Sequence, residues 1–127
     1  MKPFIRVMKA LSDPSRIKIL KLLQHKKLCV CELQSLLELS QPTISKHLKL
    51  LEDAGMVEGC RDKLWVNYSL TKGADSIYAK TMLVNSKKWL NDDPEITNLQ
   101  LRSLQVSREE ICKKLTRDDV NGTASQD

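Results

Sequence analysis

Four side chains are equipped for chemistry beyond packing: Cys29, Cys31, Cys60 and Cys112. Met1-Lys2-Pro3-Phe4-Ile5-Arg6 lacks the continuous apolar stretch of a signal peptide, and no run of about 18 apolar residues would span a membrane. The expected location is the cytoplasm, where thiols stay reduced. The four cysteines therefore read as free thiols, metal ligands or redox sensors rather than structural disulfides. Cys29 and Cys31 stand two apart, and in a formed helix such positions point about 200° from each other. Their sulfurs converge on one atom only if Cys29 lies at or before a helix start. A helix N-terminus should also lower a thiol pKa and favour the thiolate. Other reactive constellations are missing. His25 and His47 are the two histidines, and there is no phosphate-cradling glycine loop, no G-x-S-x-G turn and no H-E-x-x-H. The C-x-C spacing, with no βαβ pattern before it, argues against a thiol oxidoreductase. An enzyme is not expected.

Residues 3–11 carry Phe4, Ile5, Met8 and Leu11 at helical spacing. Asp13 is a good N-cap and Pro14 a good first residue for a helix to about Leu23. Either Ile17, Leu20 and Leu23 or Ile19 and Leu22 would face inward. A short helix from Val30 or Cys31 includes Leu33, Leu36 and Leu37. Ser40 can cap the next, Gln41 to Ala54, which aligns Ile44, Leu48 and Leu51 before the stop at Gly55. Two short helices joined by a tight turn make a helix-turn-helix. The period then changes to two, and residues 56–60 and 64–70 flank the turn Arg61-Asp62-Lys63, which predicts a hairpin. A further helix over 74–90 carries Ile77, Tyr78, Leu83, Val84 and Trp89. Asn91-Asp92-Asp93-Pro94 marks a boundary between residues 1–91 and a tail, 92–127. Ser107-x-x-Glu110 suggests one short helix in that tail, near 108–116. The expected fold is mainly α with a small β-hairpin, a winged helix-turn-helix.

The charge follows the same division. The 127 residues hold 21 Lys plus Arg against 16 Asp plus Glu, a net of +5. Residues 1–91 carry about +8 of it and the acidic tail about −3. A basic module of this kind favours polyanions, and one Phe, two Trp and two Tyr are too few for a single-strand stacking platform. Double-stranded DNA is the expected partner. Opposite the apolar stripe of the fourth helix lie Lys46 and Lys49, flanked by Thr43 and Ser45. Gln41 and Thr43 occupy its first turn, where a recognition helix reaches base edges. Arg61 and Lys63 would follow the neighbouring backbone or minor groove. His47 stands about 60° from the apolar axis, so DNA contact and partial burial are both open.

Three segments resemble the ArsR/SmtB family of metalloregulatory repressors. They are Leu28-Cys29-Val30-Cys31-Glu32-Leu33, the stretch from Leu39 through Ser40-Gln41-Pro42-Thr43-Ile44-Ser45-Lys46-His47-Leu48 to Leu51, and Ala54-Gly55-Met56-Val57. The similarity covers about residues 4–90. It implies a homodimeric winged-helix repressor that leaves its operator when an inducer binds, with residues 1–91 serving both DNA binding and dimerisation. The dimer would form through residues 3–11 and 74–90. Leu-Cys-Val-Cys-Glu-Leu is similar to the arsenic-sensing segment of the arsenical-resistance branch. That implies trivalent arsenic or antimony as inducer, with methylarsenite, cadmium and lead as further soft candidates. The pattern departs at Gln34, where members of that branch carry a third cysteine. Cys60 or Cys112 could supply the third sulfur, or the site could hold two. The family's zinc site needs Asp and His pairs on the last core helix, and residues 74–90 contain Asp75 but no histidine. An alternative within the same fold is a repressor that senses oxidation or reactive sulfur.

Overall fold

The computed structural model describes residues 1–106. Helices α1 (Lys2–Ala10) and α2 (Pro14–Leu23) lead into a two-residue strand, β1 (Leu28–Cys29), and then α3 (Val30–Leu37) and α4 (Gln41–Asp53). Strands β2 (Val57–Asp62) and β3 (Trp65–Leu70) form the wing, followed by α5 (Ile77–Ser86) and α6 (Pro94–Ser103). The Asp13 carboxylate caps α2 by accepting the Arg16 N–H, as Asp-Pro leads one to expect. Helix α4 ends in a Schellman turn. Gly55, at φ +78°, lets its own N–H reach Glu52 O and the Met56 N–H reach Leu51 O.

Ile44, Leu48 and Leu51 of α4 are buried against Leu33 and Leu36 of α3 and Leu20 of α2 in one core. Helix α2 draws on both competing stripes, leaving only Ile17 of them half-buried. Ile19, Leu20, Leu22 and Leu23 are all covered because an unforeseen helix, α6, packs on its far side. Ile96 and Leu99 of α6 are buried, Gln100 Nε2 donates to Lys21 O, and Lys18 pairs with Glu95. Packing thus continues past residue 91, where the charge changes sign. The helix expected near 108–116 lies outside the described residues.

Two elements are shorter or shifted. Helix α5 fills 77–86 rather than 74–90. It starts where Ser76 Oγ accepts the Ala79 N–H, and it ends where the buried Lys21 ammonium takes over the terminal acceptors. Lys21 Nζ donates to Ser86 O at 2.9 Å, Trp89 O at 2.7 Å and Asn91 Oδ1 at 2.8 Å, so its three hydrogens are all used. Burial holds its pKa below the ordinary lysine value. In the wing, Arg61 and Asp62 belong to β2, opposite Val66 and Trp65, and the turn is Lys63-Leu64. Lys63 takes the left-handed conformation (φ +57°) that a two-residue hairpin turn demands. The hairpin also gains a third strand, since β1 pairs antiparallel with β3 to give the order β1-β3-β2.

Candidate nucleic-acid interface and thiol site

The reading face is built on an open helix start. Ser40 Oγ accepts the Thr43 N–H at 3.4 Å and donates to Thr43 Oγ1 at 2.9 Å, fixing the first turn of α4. Pro42 sits in that turn, where its missing N–H costs nothing. Gln41, Lys46 and Lys49 are exposed, and Thr43 and Ser45 are half-buried beside them. Gln41 Nε2 lies 3.5 Å from Ser45 Oγ, and Lys49 pairs with Asp53 at 3.2 Å one turn on. These polar side chains sit opposite the buried Ile44-Leu48-Leu51 stripe. Arg61 and Lys63 are exposed at the wing end, with Leu64 beside them at the tip.

His47 does not share that face. Its side chain is 15 % exposed, Nδ1 lies 3.0 Å from Arg16 Nη1, and Nε2 lies 4.0 Å from Asp13 Oδ2. The partial burial that the helical wheel allows is present, and both ring nitrogens face protein groups. Sequence reading missed Arg16 altogether, because its partner is 31 positions away.

Cys29 and Cys31 straddle the start of α3. Cys29 is the N-cap, extended at φ −93° and ψ 172°, so the two thiols are not separated by the 200° of a formed helix. Glu32 completes a capping box: its Oε1 accepts the Cys29 N–H at 2.9 Å, and its own N–H faces the Cys29 sulfur. Cys29 is 2 % exposed and Cys31 half-buried. The expectation of a thiolate at this helix start fails for Cys29. Burial pushes its thiol up to about 11, and the neighbouring Glu32 carboxylate adds to the rise. Together they outweigh the N–H groups of Glu32 and Cys31, which pull it down.

Cys29 is also the last residue of β1, opposite Asn67 of β3, and Cys60 of β2 faces the same Asn67 from the other side. Cys29, Asn67 and Cys60 therefore form one cross-strand row. Two strand spacings put the cysteine Cα atoms about 10 Å apart. Cys60 is exposed, and the row does not gather its sulfur with the other two. Among the described residues no three His, Cys, Asp or Glu side chains converge as one ion would need. Cys112 lies outside them.

Known proteins can now be set beside this geometry. Residues 13–59 match the family described as "Bacterial regulatory protein, arsR family". The arsenic resistance transcriptional regulator ArsR1 of Pseudomonas putida is 38 % identical over 68 % of this chain and 71 % of its own. A cadmium resistance transcriptional regulatory protein CadC homolog of Staphylococcus aureus is 41 % identical over 51 % of this chain and 54 % of its own. Among solved structures, HlyU from Vibrio cholerae superposes with a TM-score of 0.58 at 31 % identity, covering 70 % of this chain and 92 % of that one. Its relatives are regulators of transcription and not enzymes, and the fold implies DNA binding through the helix-turn-helix. Helix-turn-helix, wing and relatives agree: the chain belongs to the ArsR family of transcriptional repressors.

Proposed function

We propose that this repressor holds double-stranded operator DNA as a homodimer, through α4 and the β2–β3 wing, and lets go when trivalent arsenic or antimony bonds to Cys29 and Cys31. The observation that carries this reading is the double membership of Cys29. It caps the first helix of the helix-turn-helix and ends the strand paired to the wing. An atom that bonds both sulfurs must draw a 2 %-exposed side chain from its place, and that place is tied to the helix before α4 and to the wing. The names of the relatives, one for arsenic resistance and one for cadmium resistance, support a metal or metalloid inducer.

A neutral Cys29 thiol suits the metalloid. In arsenous acid each new arsenic–sulfur bond replaces an arsenic–oxygen bond, and the thiol proton leaves with the displaced hydroxide as water. No electrons change hands. Two sulfurs suffice for methylarsenite, whose remaining bond is to carbon. For arsenite, Cys112 is the candidate third ligand, because Cys60 stands two strands away from Cys29. The same separation, beyond the roughly 7 Å Cα reach of a disulfide, weighs against a Cys29–Cys60 oxidation switch within one chain. For the dimer, support comes from apolar side chains left outside on α1 and α5: Phe4, Ile5, Ile77, Tyr78 and Val84. Such a DNA-bound regulator works in the cytoplasm.

Operator binding measured by fluorescence anisotropy tests the reading, with arsenite, antimonite, methylarsenite, cadmium, lead and persulfide as separate additions. Single Cys→Ser variants at 29, 31, 60 and 112 complete the set. Cys29→Ser and Cys31→Ser should bind DNA like the parent and stay bound in arsenite. Release of both by arsenite would sink the reading. A response to persulfide alone would replace it with reactive-sulfur sensing, and one to cadmium or lead alone with cation sensing.

A further inference from the structure

Three helices meet on the side chain of Arg16. Its Nε donates to Ala10 O at 2.9 Å and its Nη2 to Lys9 O at 3.2 Å, both carbonyls at the C-terminal end of α1. Nη1 reaches His47 Nδ1, 3.0 Å away in the middle of α4. A guanidinium is only a donor, so a hydrogen bond here has Nδ1 as its acceptor, with Nε2 directed toward Asp13. Asp13 in turn accepts the Arg16 backbone N–H at 3.2 Å. Both imidazole nitrogens are thus directed at protein groups, and the recognition helix is bound through polar contacts to the α1–α2 corner.

The other side of α1 has a different task. Val7 and Ala10 face the core, while Phe4 and Ile5 are exposed in the surface assigned above to the second subunit. Phe4 packs edge-on against Tyr78 of α5, with ring centroids 5.3 Å apart. One short helix therefore carries the dimer surface on one face and, at its last carbonyls, the anchor of α4. In a two-fold repressor the distance between recognition helices must match half-sites about 34 Å apart, one turn of DNA. A tilt of either helix spoils that match without removing any DNA contact.

We propose that Arg16 and His47 are positioning residues for operator binding: they lock α4 to the dimerisation helix and set the separation at which two recognition helices meet DNA. The proposal rests on the homodimer reading. It differs from a role as DNA contacts. A phosphate-binding Arg16 would add to the salt dependence of all DNA binding, and a base-reading His47 would favour one base pair.

The test uses the full chain and a palindromic duplex selected by the parent protein from a random library. Versions with one and two base pairs inserted at the centre accompany it. Arg16→Gln and His47→Leu should each weaken binding to the selected duplex at least 10-fold and flatten the parent's preference for its spacing. The double variant should be little worse than either single. His47→Asn keeps an acceptor near the Nδ1 position and should recover most of the loss, which separates positioning from a folding defect. Sedimentation should give the parent's dimer constant for Arg16→Gln, and random-sequence duplex should bind it with the parent's salt slope. An unchanged spacing preference, a salt slope shallower by about one, or altered preference at one base pair would each overturn the proposal. A parent that sediments as a monomer on DNA refutes the dimer reading itself, a result distinct from all of these.

Discussion

Helices α3 and α4 begin with the same device, a capping side chain at an extended residue, and use it in opposite ways. Ser40 opens α4 to solvent amid exposed Gln41, Lys46 and Lys49. Cys29 opens α3 inside the protein, with its thiol neutral and its N–H held by Glu32. The difference teaches that the polar face of α4 stands open to solvent, whereas Cys29 of the thiol pair is covered.

The largest effect that bears on this contrast is reactivity. Iodoacetamide should label exposed Cys60 at least 100-fold faster than Cys29 in the native protein, read by peptide mass spectrometry, and the gap should close in denaturant. Equal native rates would mean that Cys29 is not covered.

Next comes stability against pH. The folded Cys29 thiol, at about 11, holds its proton more tightly than an unfolded one at 9.0. Its contribution is therefore complete below pH 9 and lost as pH rises to 11, about 2–3 kcal/mol in all at 1.36 kcal/mol per unit. Lys21, held low by burial, slopes the opposite way, so the informative quantity is the difference between parent and Cys29→Ala. Chemical denaturation from pH 8 to 11 should show a smaller fall for the variant.

On the open side, Lys46→Ala should weaken operator binding by roughly 10-fold at low salt and reduce the salt slope by about one. Cys29→Ala should leave both unchanged. Smallest is the cap itself: Ser40→Ala should cost about 1 kcal/mol in thermal unfolding, because the Thr43 N–H loses its acceptor.

Local chemistry made part of this legible. Ser40, the Ile44-Leu48-Leu51 stripe and Gly55 define α4 within 16 consecutive residues, and the structure follows them almost to the residue. The start of α3 at Val30, with Cys29 outside it, agrees with the helix start expected at Val30 or Cys31. What escaped depends on partners distant in sequence. Strand β1 is two residues long and has no period to read; it exists because Tyr68 and Asn67 pair with it. Helix α5 stops at Ser86 because of Lys21, 65 positions away. Asp93-Pro94 repeats the cap of Asp13-Pro14 and starts α6, a signal present in the sequence but taken for a boundary. The Arg16–His47 contact was hidden for the same reason, since no local pattern reports what a tertiary neighbour will meet.

The pairing of Leu28 with Tyr68 and Cys29 with Asn67 finally sets a clock. A two-residue strand on the margin of a sheet parts by local breathing, far more often than the whole fold opens. On the reading proposed above, a reagent seeking the covered Cys29 sulfur would need only that small event and not unfolding. The delay between the arrival of an inducer and release of the operator would, on the same reading, depend on how tightly these two residues cling to the wing.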